Sequence, residues 1–225
     1  MNGRPADTSE MYKVHTMFRR EFGLLPELVR RVREGDGARS RLVADHIELL
    51  CMILETHHQS EDESLWPRLM ERGTPNDIPL VQLMESHHEG IGEGISTVGA
   101  ELEAWVRSAG SDERRALGDA LDRLVTLLRE HMALEEERIL PLVEKYVTAA
   151  EWEEMVQKGS SKVRREDIPL IFGMIMYEGG PEIGPPEVRL AMRDVASQAF
   201  ASHSRRLHGT ATPPRSSELA SVGLD

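Results

Sequence analysis

A single cysteine, Cys51, stands in a chain of 225 residues, so no internal disulfide can form and the sequence fits a reducing compartment. Positive charge is scarce as well. Lys and Arg number 27 against 39 Asp and Glu, a formal charge of −12. A phosphate backbone is gripped by surplus Lys and Arg, which argues against a nucleic-acid partner. Long apolar runs are missing. The longest, IPLIFGMIMY over Ile168–Tyr177, is about half of what a membrane helix needs. The opening MNGRPADTSEMYKVH lacks the apolar core of a signal peptide. The expectation is a cytoplasmic protein without a membrane partner. Aromatic residues are 4% of the chain, and the abundant Leu, Ala, Glu and Arg favour helices.

LVRRV, LLCMIL and LDRLVTLL have helical rather than alternating periodicity. Caps and breakers divide the chain into a first helix from about Thr8 to Arg33, bent near Gly23–Pro26, and a second from Ala38 to Arg72. A third runs from Asp77 to Ser108, and a fourth from Ser111 or Asp112 to Tyr146. Thr148 caps a short helix through Lys158. REDIPLIFGMIMYE and PPEVRLAMRDVASQAFASHSRR read as further helices. The expected architecture is all-α: an up-and-down four-helix bundle over 8–146, then additional C-terminal helices over 147–208. This extension, rich in apolar side chains, packs on the bundle or forms a homodimer interface. Residues 209–225 read as a disordered tail.

The bundle contains a repeat. HHQSEDESLWP at His57–Pro67 and HMALEEERILP at His131–Pro141 share His, three residues, Glu, an acid, Glu, a spacer, an aliphatic, a spacer and Pro. Leu50 and Leu54 precede His57 at the spacings at which Leu124 and Leu128 precede His131. At 3.6 residues per turn, each set forms one helix stripe with a His–Glu pair in its middle. An ionised Glu on an apolar stripe is costly unless it is paired or metal-bound. The other two helices repeat too: Met11, His15, Phe18 and Phe22 have the spacing of Met84, His88, Ile91 and Ile95. That spacing favours His88 over His87. Each half thus offers a lone His and a His-x-x-x-Glu pair to one core. Mixed imidazole and carboxylate donors suit iron, with manganese or zinc as alternatives, and bundle interiors are where dinuclear centres are built.

The lone His15, HHQSEDESLWP, ESHHEGI and HMALEEERILP, in this order, resemble the hemerythrin-like, or HHE cation-binding, proteins over about Met11–Tyr146. The resemblance implies a non-haem diiron centre, oxo- or hydroxo-bridged, that meets dioxygen, hydrogen peroxide or nitric oxide. Carried over by motif, its metal ligands are His15, His57, Glu61, His88, His131 and Glu135, with His58, His87 and Glu136 as secondary candidates. No catalytic residue separate from the ligands is implied. One departure stands out. Oxygen-carrying hemerythrins have a second His four residues from the first in helix three, where this chain has Met84 and Gly92 around His88. Unless His87, Glu85 or another group fills the gap, one iron keeps an open position, which favours reactivity over reversible carriage.

The expected function is therefore a redox or oxidative-stress role rather than oxygen transport, with catalase-like or other diiron redox turnover left open. An iron- or oxygen-sensing binding module without turnover is the first alternative, and a metal-free helical interaction bundle the second. The ordinary reading of the His–Glu pairs is a solvated acidic face, and that of His15 and His88 a core histidine. His58, stripe-mate of Glu55 and Asp62, is expected at the edge or outside. Asp62 and Glu136 are candidates to orient ligand imidazoles. His46, about 16 Å up its helix from His57, lies too far away to join, and His203 and His208 are expected in solvent.

Overall fold

The structure, a computed structural model, describes residues 3–179 and 186–221. Four long elements carry the bundle: α1 (Ser9–Arg30), α2 (Gly37–Ser64), α4 (Ile78–Ser108) and α5 (Ser111–Leu134). They pack around a ring, α1 on α2, α2 on α4, α4 on α5 and α5 on α1. Their ends follow from local chemistry. The Asp36 side chain accepts from the Arg39 N–H and starts α2. Ala109, at φ 47, turns the chain out of α4 in the left-handed region. Pro79 opens α4 at a position where its missing N–H costs nothing. Pro26 lies inside α1, which runs through it unbroken where the sequence suggests a bend.

Both motif helices change course just after their His–Glu pair, because each meets a proline six residues beyond the Glu. The second helix ends at Ser64, and α3 (Trp66–Arg72) restarts it after Leu65. In the fourth, Glu135–Ile139 widens into a π turn, with the Leu140 N–H donating to the Glu135 carbonyl, before α6 (Leu140–Tyr146). Pro67 and Pro141 stand just past these irregularities and cannot supply the N–H that an even α-helix would use.

The apolar core is split in two. One part, around Phe18, Phe22, Leu50, Leu54, Trp105 and Leu121, fills the longer end of the bundle. The other gathers Met11, Leu65, Trp66, Met84, Ile139 and Trp152. Between them lies a layer of buried polar side chains, His15, His58, Glu61, His88, His131 and Glu135, completed by the half-buried His57 at its edge.

The C-terminal helices pack on the bundle. α7 (Ala149–Lys162), started by a capping box between Thr148 and Glu151, lies on α2. α8 (Ile168–Gly179) lies on α1 and on α9 (Pro186–His208). A Cβ on Gly173 would come within 2.4 Å of the Ala196 carbonyl oxygen, so only glycine permits the α8–α9 crossing. Arg20, fully buried in α1, has its Nε 3.0 Å from Glu178 and its guanidinium 4.8 Å from the Tyr177 ring centre. Arg20 also pairs with Glu21, which His46 approaches at 3.3 Å.

Two sequence expectations change here. His203 is not in solvent, because its Nε2 lies 3.1 Å from His46 Nδ1 and α9 carries it against α2; His208 is half-buried. Nor is the stretch after 208 a loose tail as far as it is described. Tyr177 donates to the Pro213 carbonyl, Ser216 in α10 (Ser216–Ser221) donates to the Thr16 carbonyl, and Leu219 is buried. A polar composition hides three such anchors. Residues 222–225 lie outside the described residues.

Candidate metal centre

The polar layer brings together all six residues that the motifs single out. Glu61 spans the two halves of the bundle, with Oε1 3.3 Å from His57 Nε2 and Oε2 3.5 Å from His88 Nε2. Glu135 does the same from the other side, with Oε2 3.3 Å from His15 Nε2 and 3.6 Å from His131 Nε2. Each carboxylate thus meets the imidazole one turn back on its own helix and the lone imidazole of a neighbouring helix.

The acid that follows each of these carboxylates has a different task. Asp62 Oδ1 lies 2.6 Å from His88 Nδ1 and accepts from Trp66 Nε1 at 2.8 Å. Glu136 Oε1 lies 2.9 Å from His15 Nδ1, while Arg19 holds both Glu136 oxygens. An acceptor on Nδ1 fixes the proton there and turns the Nε2 lone pair inward. Glu136 therefore orients His15 and does not face the centre itself.

The expectation for His58 is corrected. It is buried, its ring stacks on His88 with centroids 4.0 Å apart and planes 12° apart, and it lies 4.9 Å from the His131 ring. One donor atom from each of His58, Glu61, His88 and His131 falls within 4.8 Å of the others, a set that can hold a metal ion. A rotation of about 100° from His57 does not exclude His58, because the polar layer is wider than one stripe and an imidazole reaches across it. His58 enters from α2 the gap that Met84 and Gly92 leave in α4. His87 is half-buried beside it, its ring 6.0 Å from that of His131, and is not in that set.

These atoms fit a cation better than they fit one another. Among the described residues, the buried side-chain nitrogens and oxygens without a hydrogen-bond partner are two from Arg20 and otherwise all from this layer and His87. They include both oxygens of Glu61 and Glu135 and Nε2 of His15, His57, His58, His88 and His131. Each unsatisfied buried group costs about 1–3 kcal/mol, so together they would consume most of a stability of about 5–15 kcal/mol. Contacts of 3.3–3.6 Å between these donors resemble the roughly 3 Å that separates neighbouring ligands bound at about 2.1 Å from one ion.

Protonation tells the same story. Burial, then the nearby His15, pulls the His57 pKa down to about 3, and burial brings His131 to about 3 against the pull of Glu135. Burial and then His88 hold His58 well below its ordinary range. Burial also works against a charged His15, but Glu135 and Glu136 outweigh it and raise its pKa. Burial and then the Glu135 charge raise Glu61, whereas His15 lowers Glu135 against the effect of burial. Neutral imidazoles at His57, His58 and His131, a proton drawn onto His15 by the acids beside it, and two carboxylates too close to ionise together are what a cation resolves.

The comparisons with known proteins agree. A family model described as the hemerythrin HHE cation binding domain matches residues 6–143. The chain belongs to this family. No curated protein and no solved structure matches it. The matched span covers α1 to α5 and ends within α6, before the C-terminal helices of this HHE protein. Among its described residues no helix is long and apolar enough to cross a membrane.

Proposed function

We propose that the polar layer holds two iron ions and that the loaded centre binds or reacts with dioxygen, hydrogen peroxide or nitric oxide, in a redox or oxidative-stress role. The observation that supports this reading is the set of buried partnerless donors, five imidazole nitrogens and two carboxylates, of which all but His58 stand at matched positions of a repeated motif. His15, His57, His58, His88 and His131 would serve as terminal ligands, and Glu61 and Glu135, each touching both halves, as the shared ones. Nitrogen- and oxygen-rich donors of this kind favour iron over soft-metal alternatives. When bound, such a pair of irons supplies one- and two-electron chemistry toward small oxygen and nitrogen species.

The chain's own residues prepare that chemistry. Asp62 and Glu136 hold the Nδ1 protons of His88 and His15, and Trp66 and Arg19 fix those two acids in turn. With His58 supplying the fifth imidazole, the preference for reactivity over carriage rests on access and not on a missing ligand. A groove lined by Glu55, Asp62, Glu85 and Glu89 opens over His58 and His88. Reversible carriage needs a site closed to water and protons, and here only the buried rings of His58 and His88 stand between the centre and this groove.

The test is iron per chain by elemental analysis, followed by peroxide addition under continuous absorption recording. Two irons, with peroxide consumed by the parent protein and not by His57→Ala, are the expected result. Two irons with a spectrum indifferent to peroxide, dioxygen and nitric oxide would sink the reading. The sensing alternative draws on one feature: α1 carries His15 at the centre and Arg20 against Glu178 of α8. It predicts altered protease sensitivity of the C-terminal helices on oxidation.

A further inference from the structure

The centre has a second approach, built by the C-terminal helices. Between α1 and α2 on one side and α7 and α8 on the other lies a cavity of about 370 Å3. Its walls include Met11, Phe18, Ile53, Trp152, Met155 and Ile171, and its inner end is formed by His57 and Glu61. The His57 side chain is 16% exposed, against 1% for His15 and 0% for His131, and it faces this space.

The walls offer almost nothing polar to a ligand. The Thr56 and Ser60 hydroxyls donate to the Met52 and Thr56 carbonyls of their own helix. No Lys or Arg lines the cavity, and its two acids are Glu61 at the inner end and Glu10. Two exposed apolar side chains, Val156 at 43% and Ile168 at 37%, are also among its lining residues. Gly159 holds the seam closed on one side, since a Cβ there would meet Ser60 Oγ at 2.7 Å.

We propose that this cavity is a binding site for an uncharged, predominantly hydrocarbon molecule, seated with one end at His57. An apolar cavity of about 150 Å3 stays dry and takes up benzene, so 370 Å3 accommodates roughly 10–15 heavy atoms. Charge selects the class. An anionic head group would find no cation in the walls and would approach a chain of net charge −12 past Glu10. A cationic one would gain little along an apolar wall and would compete with metal for Glu61. The cavity is formed by protein alone, so occupancy does not depend on the diiron reading; its place beside His57 makes the occupant a candidate substrate or effector of that centre.

The experiment is a titration of the full chain, metal-loaded and metal-depleted, with the uncharged fluorophore 1-naphthylamine, which is small enough for the cavity, with iron content measured on the same samples. One site per chain is expected in both forms, with Kd on the order of 1–10 µM, displaced by 1-decanol and not by decanoate. Ile171→Trp, which fills the cavity, and Val156→Asp, which changes a solvent-exposed side chain of its lining, should each weaken binding at least tenfold while iron content is unchanged. The second variant alters an exposed side chain and so tests the site even where the first disturbs α8. No binding, unaltered binding in Val156→Asp, or displacement by decanoate as readily as by decanol would each overturn the proposal, whatever the iron content.

Discussion

The two approaches to the metal centre have opposite chemistry. Between α2 and α4 the acids Glu55, Asp62, Glu85 and Glu89 surround a wet opening onto His58 and His88. On the other side, apolar residues of α1, α2, α7 and α8 enclose the cavity that reaches His57. Glu61 stands between them, one oxygen toward His57 and the other toward His88. The acidic side is made wholly of the bundle that defines the family, whereas the apolar side needs helices beyond the matched residues 6–143. A shared bundle thus supplies the donors, and the appended helices decide what else can come near them.

Breaking the divider should have the largest effect, because it removes a donor from both sides at once. Glu61→Ala is expected to leave less than one metal per chain and to lower the melting temperature by roughly 10 °C, the loss of about 4 kcal/mol of ligand-linked stability. Elemental analysis and a thermal melt check it; a variant that keeps two metals would remove Glu61 from the centre.

The next effect separates the sides. The apolar cavity depends on α8, which Arg20 and Glu21 help to anchor through Glu178, His46 and α9. Burial opposes ionisation of Glu21, but Arg20 and then His46 outweigh it and bring its pKa to about 2 from an ordinary 4.5. The depressed value means that this stabilisation is fully present above pH 4.5 and is lost as pH falls through 4.5 toward 2. It amounts to about 3 kcal/mol at most. Urea midpoints measured across that range should fall less steeply in Glu21→Gln than in the parent; parallel curves would show that Glu21 is not the titrating anchor.

His58 is where the sequence misled. The stripe through Glu55, His58 and Asp62 points outward at both neighbours, which are exposed, and only His58 turns in. Helical phase places a Cα and not the tip of a long side chain, so one inward residue on an outward stripe is invisible to periodicity. The bundle, the two His–Glu pairs and the choice of His88 over His87 were legible because repetition filters out accident. The π turn at Glu135–Ile139, the cavity under α7 and α8, and the contact between His46 and His203 were not. Each depends on which elements meet in space. His58→Ala should cost about a hundredfold in metal affinity, measured by competition with a chelator, while Val156→Asp across the centre costs nothing. Equal affinity in both variants would return His58 to the surface.

The smallest effect sharpens the comparison within the polar layer itself. Asp62 and Glu136 perform the same task for His88 and His15, yet Asp62 is 46% exposed and braced by Trp66, whereas Glu136 is 19% exposed and held by Arg19. An amide still accepts from Nδ1 but withdraws the charge that makes the ring a better donor. Asp62→Asn and Glu136→Gln are each expected to weaken metal binding about tenfold. Solvent at the acidic mouth already screens Asp62, so Glu136→Gln should be the more damaging of the two. Chelator competition on both variants at one ionic strength reads the difference. If Asp62→Asn proves the worse, the wet side governs the centre more strongly than its exposure suggests, and Trp66 becomes the residue to change next.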